Sequence, residues 1–80
     1  MKENYKREEI EKEIREDFNL LLHNIPDRDV EIAYQEYIDE GIDIFINEVL
    51  HIEYENDSDP IYVFYYNLVK NILDEIKKEL

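Results

Sequence analysis

The segment DPIYVFYYNLVKNILDEIKKEL, residues 59–80, decides how the rest of the chain must pack. Ser58 and Asp59 offer two N-caps, and Pro60 follows at the first helical position, where its fixed φ and missing N–H are tolerated. Ile61, Tyr62, Tyr65, Leu68, Val69, Ile72, Leu73, Ile76 and Leu80 then recur with a helical period, giving one apolar side over about five turns. The spacing predicts a helix over 59–79 that the other elements must cover. Val63 points about 140° from the centre of that side, and Phe64 sits near its other edge. The first turns are therefore apolar nearly all round, and either this chain or a second molecule must cover them.

Working outward, residues 4–25 read as a first helix, with Ile10, Ile14, Phe18, Leu21, Leu22 and Ile25 on one face. Tyr5 falls on about the opposite side of that wheel. Asn24-Ile25-Pro26-Asp27 breaks the helix, because the residue before proline avoids the α region. Asp27 is the expected N-cap of a second helix over about 27–40, with Val30, Ala33, Tyr34 and Tyr37 as its apolar stripe. Beyond Gly41 the apolar set becomes Ile42, Phe45, Ile46, Val49 and Leu50. A straight helix would swing its apolar face by roughly 100° between the two sets, so a break or kink is expected near Gly41. Residues 42–54 alternate in places like a strand (Ile42, Ile44, Ile46; Leu50, Ile52, Tyr54), but nothing else in the chain offers a partner strand, and helix is expected. The fold class is all-α: one domain over 1–80, a bundle of three or four helices.

Eighty residues with no cysteine, one Gly and two Pro leave no disulfide and no thiolate metal site. A chain this short forms a marginal core unless its helices pack tightly or a second copy joins, so a homo-oligomer stays open. The charge is the unusual property: 22 acids against nine Lys and Arg, a net −13. Such an imbalance opposes direct binding to nucleic acid or an anionic membrane and favours a cationic partner. The first residues, Met-Lys-Glu-Asn-Tyr-Lys-Arg-Glu-Glu, carry no apolar signal region, and the longest apolar run, Ile61–Tyr66, is far short of the ~20 residues of a membrane helix. A cytoplasmic location is the expectation.

The charge is also uneven. From Asp29 to Val69 there is no Lys or Arg, while eleven acids fall in or next to that stretch. Elsewhere, Glu8–Lys12, Glu11–Arg15 and Asp74–Lys78 have the i, i+4 spacing of helical ion pairs. On an ideal helix Asp29, Glu36, Glu40 and Asp43 lie within about 60° of one another, with Asp39 at the edge and Glu48 further along. Tyr34 and Tyr37 border this line, and all eight are the candidate partner-binding residues. Neighbouring like charges at this spacing destabilise a helix by a few tenths of a kcal/mol each. Acidic helix faces are commonly no more than solvated surface. A fixed row of carboxylates can also imitate a phosphate backbone for a protein built to grip one.

Little else in the sequence carries chemistry. Glu48-x-x-His51 matches half of a di-iron carboxylate site, but Leu20 stands where His23 would need its glutamate, so no metal centre and no cofactor are expected. Ser58 is the only hydroxyl nucleophile of its kind, with no threonine or cysteine, and one glycine cannot build a phosphate loop. The expected function is a non-catalytic binding protein that occupies the basic surface of a nucleic-acid-processing protein. In size, helical content and charge it is similar to small acidic phage inhibitors, such as anti-CRISPR and anti-restriction proteins that mimic DNA, and to nuclease immunity proteins and antitoxins. The second expectation is a helical module that docks or oligomerises through Val63, Phe64 and the tyrosines.

Overall fold

The computed structural model describes residues 6–80; the expected helix start at residue 4 and the placement of Tyr5 lie outside them. The first helix, α1, runs Arg7–His23. Glu8 and Glu9 sit in its first turn, where negative charge suits the helix dipole, and the Glu9 carboxylate accepts from the Lys6 N–H at 3.2 Å. Ile10, Ile14, Phe18 and Leu22 are its buried side, with Ile25 just beyond, as the period requires.

Ile25 is extended (φ −96°, ψ 132°) ahead of Pro26, and Asp27 and Arg28 both take positive φ, 59° and 49°. The N-cap expected at Asp27 is instead Asp29, whose Oδ1 accepts from the N–H groups of Glu31 and Ile32 at 3.0 and 3.3 Å. Asp27 is a residue type that tolerates the left-handed region, and it turns the chain rather than starting the helix.

The second helix, α2, covers residues 30–49 without the break expected at Gly41, which has ordinary helical angles (φ −63°, ψ −36°). It contains two π turns, Tyr37–Gly41 and Phe45–Val49, joined by Ile42–Ile44 and preceded by Val30–Glu36. The Ile42 N–H reaches Tyr37 O, and the Leu50 N–H reaches Phe45 O at 3.1 Å, both i to i+5. Each such turn holds one residue more than an α turn and resets the downstream phase by about 100°. Two resets bring Ala33, Tyr37, Ile42, Phe45, Ile46 and Leu50, all buried, within about 120° of one another. The mismatch in the sequence is absorbed by widening the helix, which keeps every backbone group paired, rather than by breaking it.

The helix expected to run to residue 54 ends earlier. His51 adopts φ 56° and terminates it, and the Ile52 N–H turns back to Ile46 O at 3.0 Å. Residues 51–54 form a non-helical strap. Leu50 and Ile52 face the core while His51 and Glu53 face solvent, so the alternation marks a strap without a partner strand. Tyr54 packs on Tyr62 with centroids 4.6 Å apart. Asp59 then caps α3, Pro60–Glu79, by accepting from the Ile61 N–H at 3.0 Å.

All three helices and Ile52 contribute to a single apolar core in which Ile14, Val69, Ile72 and Leu73 are completely buried. Each such aliphatic side chain contributes about 1.5–3 kcal/mol. Ile61 and Leu80, expected on the core side of α3, are exposed at its two ends. No buried polar side chain among the described residues lacks a partner. The protein is all-α, and no strand occurs among the described residues.

Candidate acidic interface

Three phenol–carboxylate bonds tie the helices together. Tyr37 on α2 donates to Asp17 on α1 at 2.9 Å; Tyr62 on α3 donates to Asp43 on α2 at 2.6 Å; Tyr34 on α2 donates to Asp74 on α3. Numbers rise on α2 as they fall on α3 (Glu31 with Lys77, Tyr34 with Asp74, Asp43 with Tyr62), so these helices are antiparallel. Burial, and then Asp17, pushes the Tyr37 phenol well above its ordinary range. Burial, and then the bond to Asp43, does the same to Tyr62. The bond to Asp74 raises Tyr34. The same hydroxyl, helped by Lys70, holds Asp74 below the usual carboxylate range.

Cations are used on the other helices. Arg15 forks onto Glu79 at 2.8 and 3.0 Å while also holding Glu11, and Arg7 reaches Glu75 at 2.9 Å, tying α1 to α3. Lys77 pairs with Glu31 at 2.8 Å and lies 4.4 Å from the centre of the Tyr34 ring. Of the three expected i, i+4 pairs, Glu11–Arg15 is present; Asp74 instead pairs back to Lys70 at 3.2 Å. Exposed pairs of this kind add about 0–1 kcal/mol each. They matter more here because they engage Arg7, Arg15 and Lys70 off α2 and hold Lys77 at the first turn of α2, away from Glu36, Glu40 and Glu48.

The eight candidate residues do not form one line. Asp29 is occupied as a cap, Asp39 accepts from Gln35 at 3.0 Å, and Asp43 faces Tyr62. Tyr34 is half-buried against Asp74 and Lys77, and Tyr37, 2 % exposed, lies in the core. The physical reason is the first π turn. An ideal helix puts Asp43 beside Glu36 and Glu40, and the extra residue rotates it by about 100° onto the α3 side. With the same correction, Glu36, Glu40, Ile44 and Glu48 fall on one strip along the α1 side of α2, and the three acids are exposed.

Across that edge α1 presents Glu9, Glu13 and Asp17 at successive turns, followed by Leu21. Sequence reasoning missed these acids, because it looked only where cations were absent from the chain. Their spacing of four, with an acid and not a cation four residues on from both Glu9 and Glu13, was the available signal. Val63 and Phe64 are exposed on α3, 43 % and 62 %.

No group of three or more His, Asp or Glu side chains among the described residues is arranged to hold a metal ion, and His51 serves the helix terminus. No helix among them is long and apolar enough to cross a membrane. No family model, no curated protein and no solved structure matches this chain.

Proposed function

We propose that the protein is a stoichiometric, non-catalytic binder that docks its α2 edge on a cationic protein surface, of the kind that otherwise grips nucleic acid, and occupies it. One observation carries the reading: Glu36, Glu40 and Glu48 stand on one exposed strip of a helix whose own sequence has no Lys or Arg. The flanking cations Arg7, Arg15 and Lys70 are held in ion pairs off α2, and Lys77 is engaged by Glu31 in the first turn of α2, away from this strip. Like charges kept at helical spacing oppose folding, so a partner's Lys and Arg would gain the full attraction on contact. Such docking blocks the partner by occupancy, as expected of a DNA-mimic inhibitor. The test is capture of a basic nucleic-acid-binding protein by wild type and by the Glu36→Lys, Glu40→Lys, Glu48→Lys triple variant. Wild-type affinity should drop at least tenfold between about 50 and 300 mM salt, and the variant should not bind. Binding that survives both changes removes the proposal.

A second reading has its own support. Ile61 and Phe64 are exposed on one side of the first turns of α3, with Val63 on another, while Tyr62 and Tyr65 between them are buried. A second copy of this chain would cover them. Sedimentation of wild type and of Phe64→Ser checks this. A dimer lost in the variant and insensitive to salt supports it; a salt-resistant monomer removes it.

A further inference from the structure

Where α1 meets α2, two open depressions follow one another along the helix edge. One, of about 180 Å³, is lined by Asp17, Leu21, Tyr37, Gly41 and Ile44. The other, of about 370 Å³, lies a turn nearer the start of α1, with Ile10, Val49 and Leu50 as its floor and Glu9, Lys12 and Glu13 at its rim. Gly41 deepens the first because it places no Cβ there. Ile44 stands beside it 52 % exposed, an aliphatic side chain left in water between Glu40 and Glu48. The floor is thus apolar; Glu13 and Asp17 line the α1 rim, and on the α2 side the exposed Glu40 and Glu48 stand about one turn to either side of Ile44. Among the described residues Lys12 is the single cation lining either depression.

We propose that this edge receives a cationic amphipathic helix of a partner protein. Its apolar side chains would sit over Ile44 and Leu21, and its Lys or Arg side chains would lie against the two rims. The inference rests on the reading of the protein as a binder of cationic surfaces, and it specifies the element bound. Charge complementarity selects a basic partner on both rims at once, which a flat acidic face does not do. A helix satisfies its own backbone hydrogen bonds, and no strand edge is present among the described residues to pair with an extended segment. A trough between two helices takes such a ligand through anchors at i, i+3 or i+4, and i+7. Open-sided hollows of this size suit side chains of a larger partner better than a small molecule, which needs most of its surface enclosed.

The test uses a labelled 16-residue peptide with Leu on one helical face and Lys on the other, together with a scrambled isomer of identical composition. Both are titrated by fluorescence anisotropy into the full chain at about 50 mM salt. The amphipathic peptide should bind at least tenfold tighter than the scrambled one. Ile44→Ser, at an exposed position, should weaken it about tenfold without changing the circular dichroism spectrum, and Val63→Asp should leave it unchanged. Equal binding of the two peptides, or indifference to Ile44→Ser, overturns the groove and leaves charge-driven docking standing. Failure of both peptides to bind overturns the two readings together.

Discussion

The ring of Tyr37 lies against the backbone of Gly41 so closely that a Cβ at Gly41 would stand 3.0 Å from its Cγ and 3.1 and 3.2 Å from its Cδ atoms. Gly41 has helical angles, so its lack of a side chain serves this contact and not an unusual conformation. Two effects oppose each other in Gly41→Ala. Alanine favours a helix by about 1 kcal/mol over glycine. The ring, however, is walled in by the core and tethered through its hydroxyl to Asp17, and an edge contact to Phe18 (centroids 6.1 Å apart) limits its movement. Overpacking of this kind costs about 1–3 kcal/mol. Net destabilisation of about 1 kcal/mol is expected in urea denaturation, and a stabilised variant would show that the ring yields.

The π turns predict an unusual tolerance. Deleting Asp39 removes the extra residue of the turn Tyr37–Gly41 and leaves an ordinary helix with the same faces on either side. The deletion should fold, with stability within about 2 kcal/mol of wild type. Deleting Glu16 from α1, which has no such turn, rotates Phe18, Leu22 and Ile25 by about 100° off the core and should abolish cooperative folding. Thermal melts followed by circular dichroism at 222 nm compare the two, and equal damage would refute the assignment.

His51 ends α2 in the left-handed region, at φ 56°, where a residue with a Cβ is disfavoured by about 1–2 kcal/mol. Its side chain is exposed, so little packing is lost on its removal. His51→Gly should raise stability by about 0.5–1 kcal/mol, and His51→Val should lower it. Denaturant midpoints report both, and a destabilising glycine would assign the imidazole a role of its own.

The phenols make stability depend on alkaline pH. An ordinary tyrosine titrates near pH 10. Tyr34, Tyr37 and Tyr62 are all raised in the fold, so the folded protein keeps protons that the unfolded chain releases. Their contribution is complete below about pH 10 and declines above it, by up to about 1.4 kcal/mol per pH unit for each phenol, as pH approaches the folded values. Helix content by circular dichroism at 222 nm should therefore fall as pH rises above about 10, and Tyr37→Phe should make the decline shallower. An equal decline in wild type and Tyr37→Phe would contradict the role of the bond to Asp17. Asp74 works in the opposite sense: its lowered value adds stability above about pH 4 that is lost as pH falls through the folded value.

The buried faces of α1 and α3 could be read directly from residues such as Ile14 and Ile72, because a regular helix maps sequence spacing onto direction in space. The caps are local choices between neighbours: the sequence offers both Ser58 and Asp59 and the fold uses Asp59, while Asp29 takes the place of Asp27 once Pro26 has turned the chain. The acidic excess and the position of Val63 and Phe64 away from the centre of the apolar face also belong to the sequence, while their exposure was settled by the packing. What pointed where on α2 did not. Its composition announced a conflict between two apolar faces, and only packing against α1 and α3 resolved it, since wide turns are chosen when the core repays a locally unfavourable helix. That choice sent Asp43 to Tyr62, buried Tyr37, and set Ile44 beside Asp17 and Leu21. A juxtaposition between residues some thirty positions apart depends on how two helices meet, and no periodicity within either one encodes it.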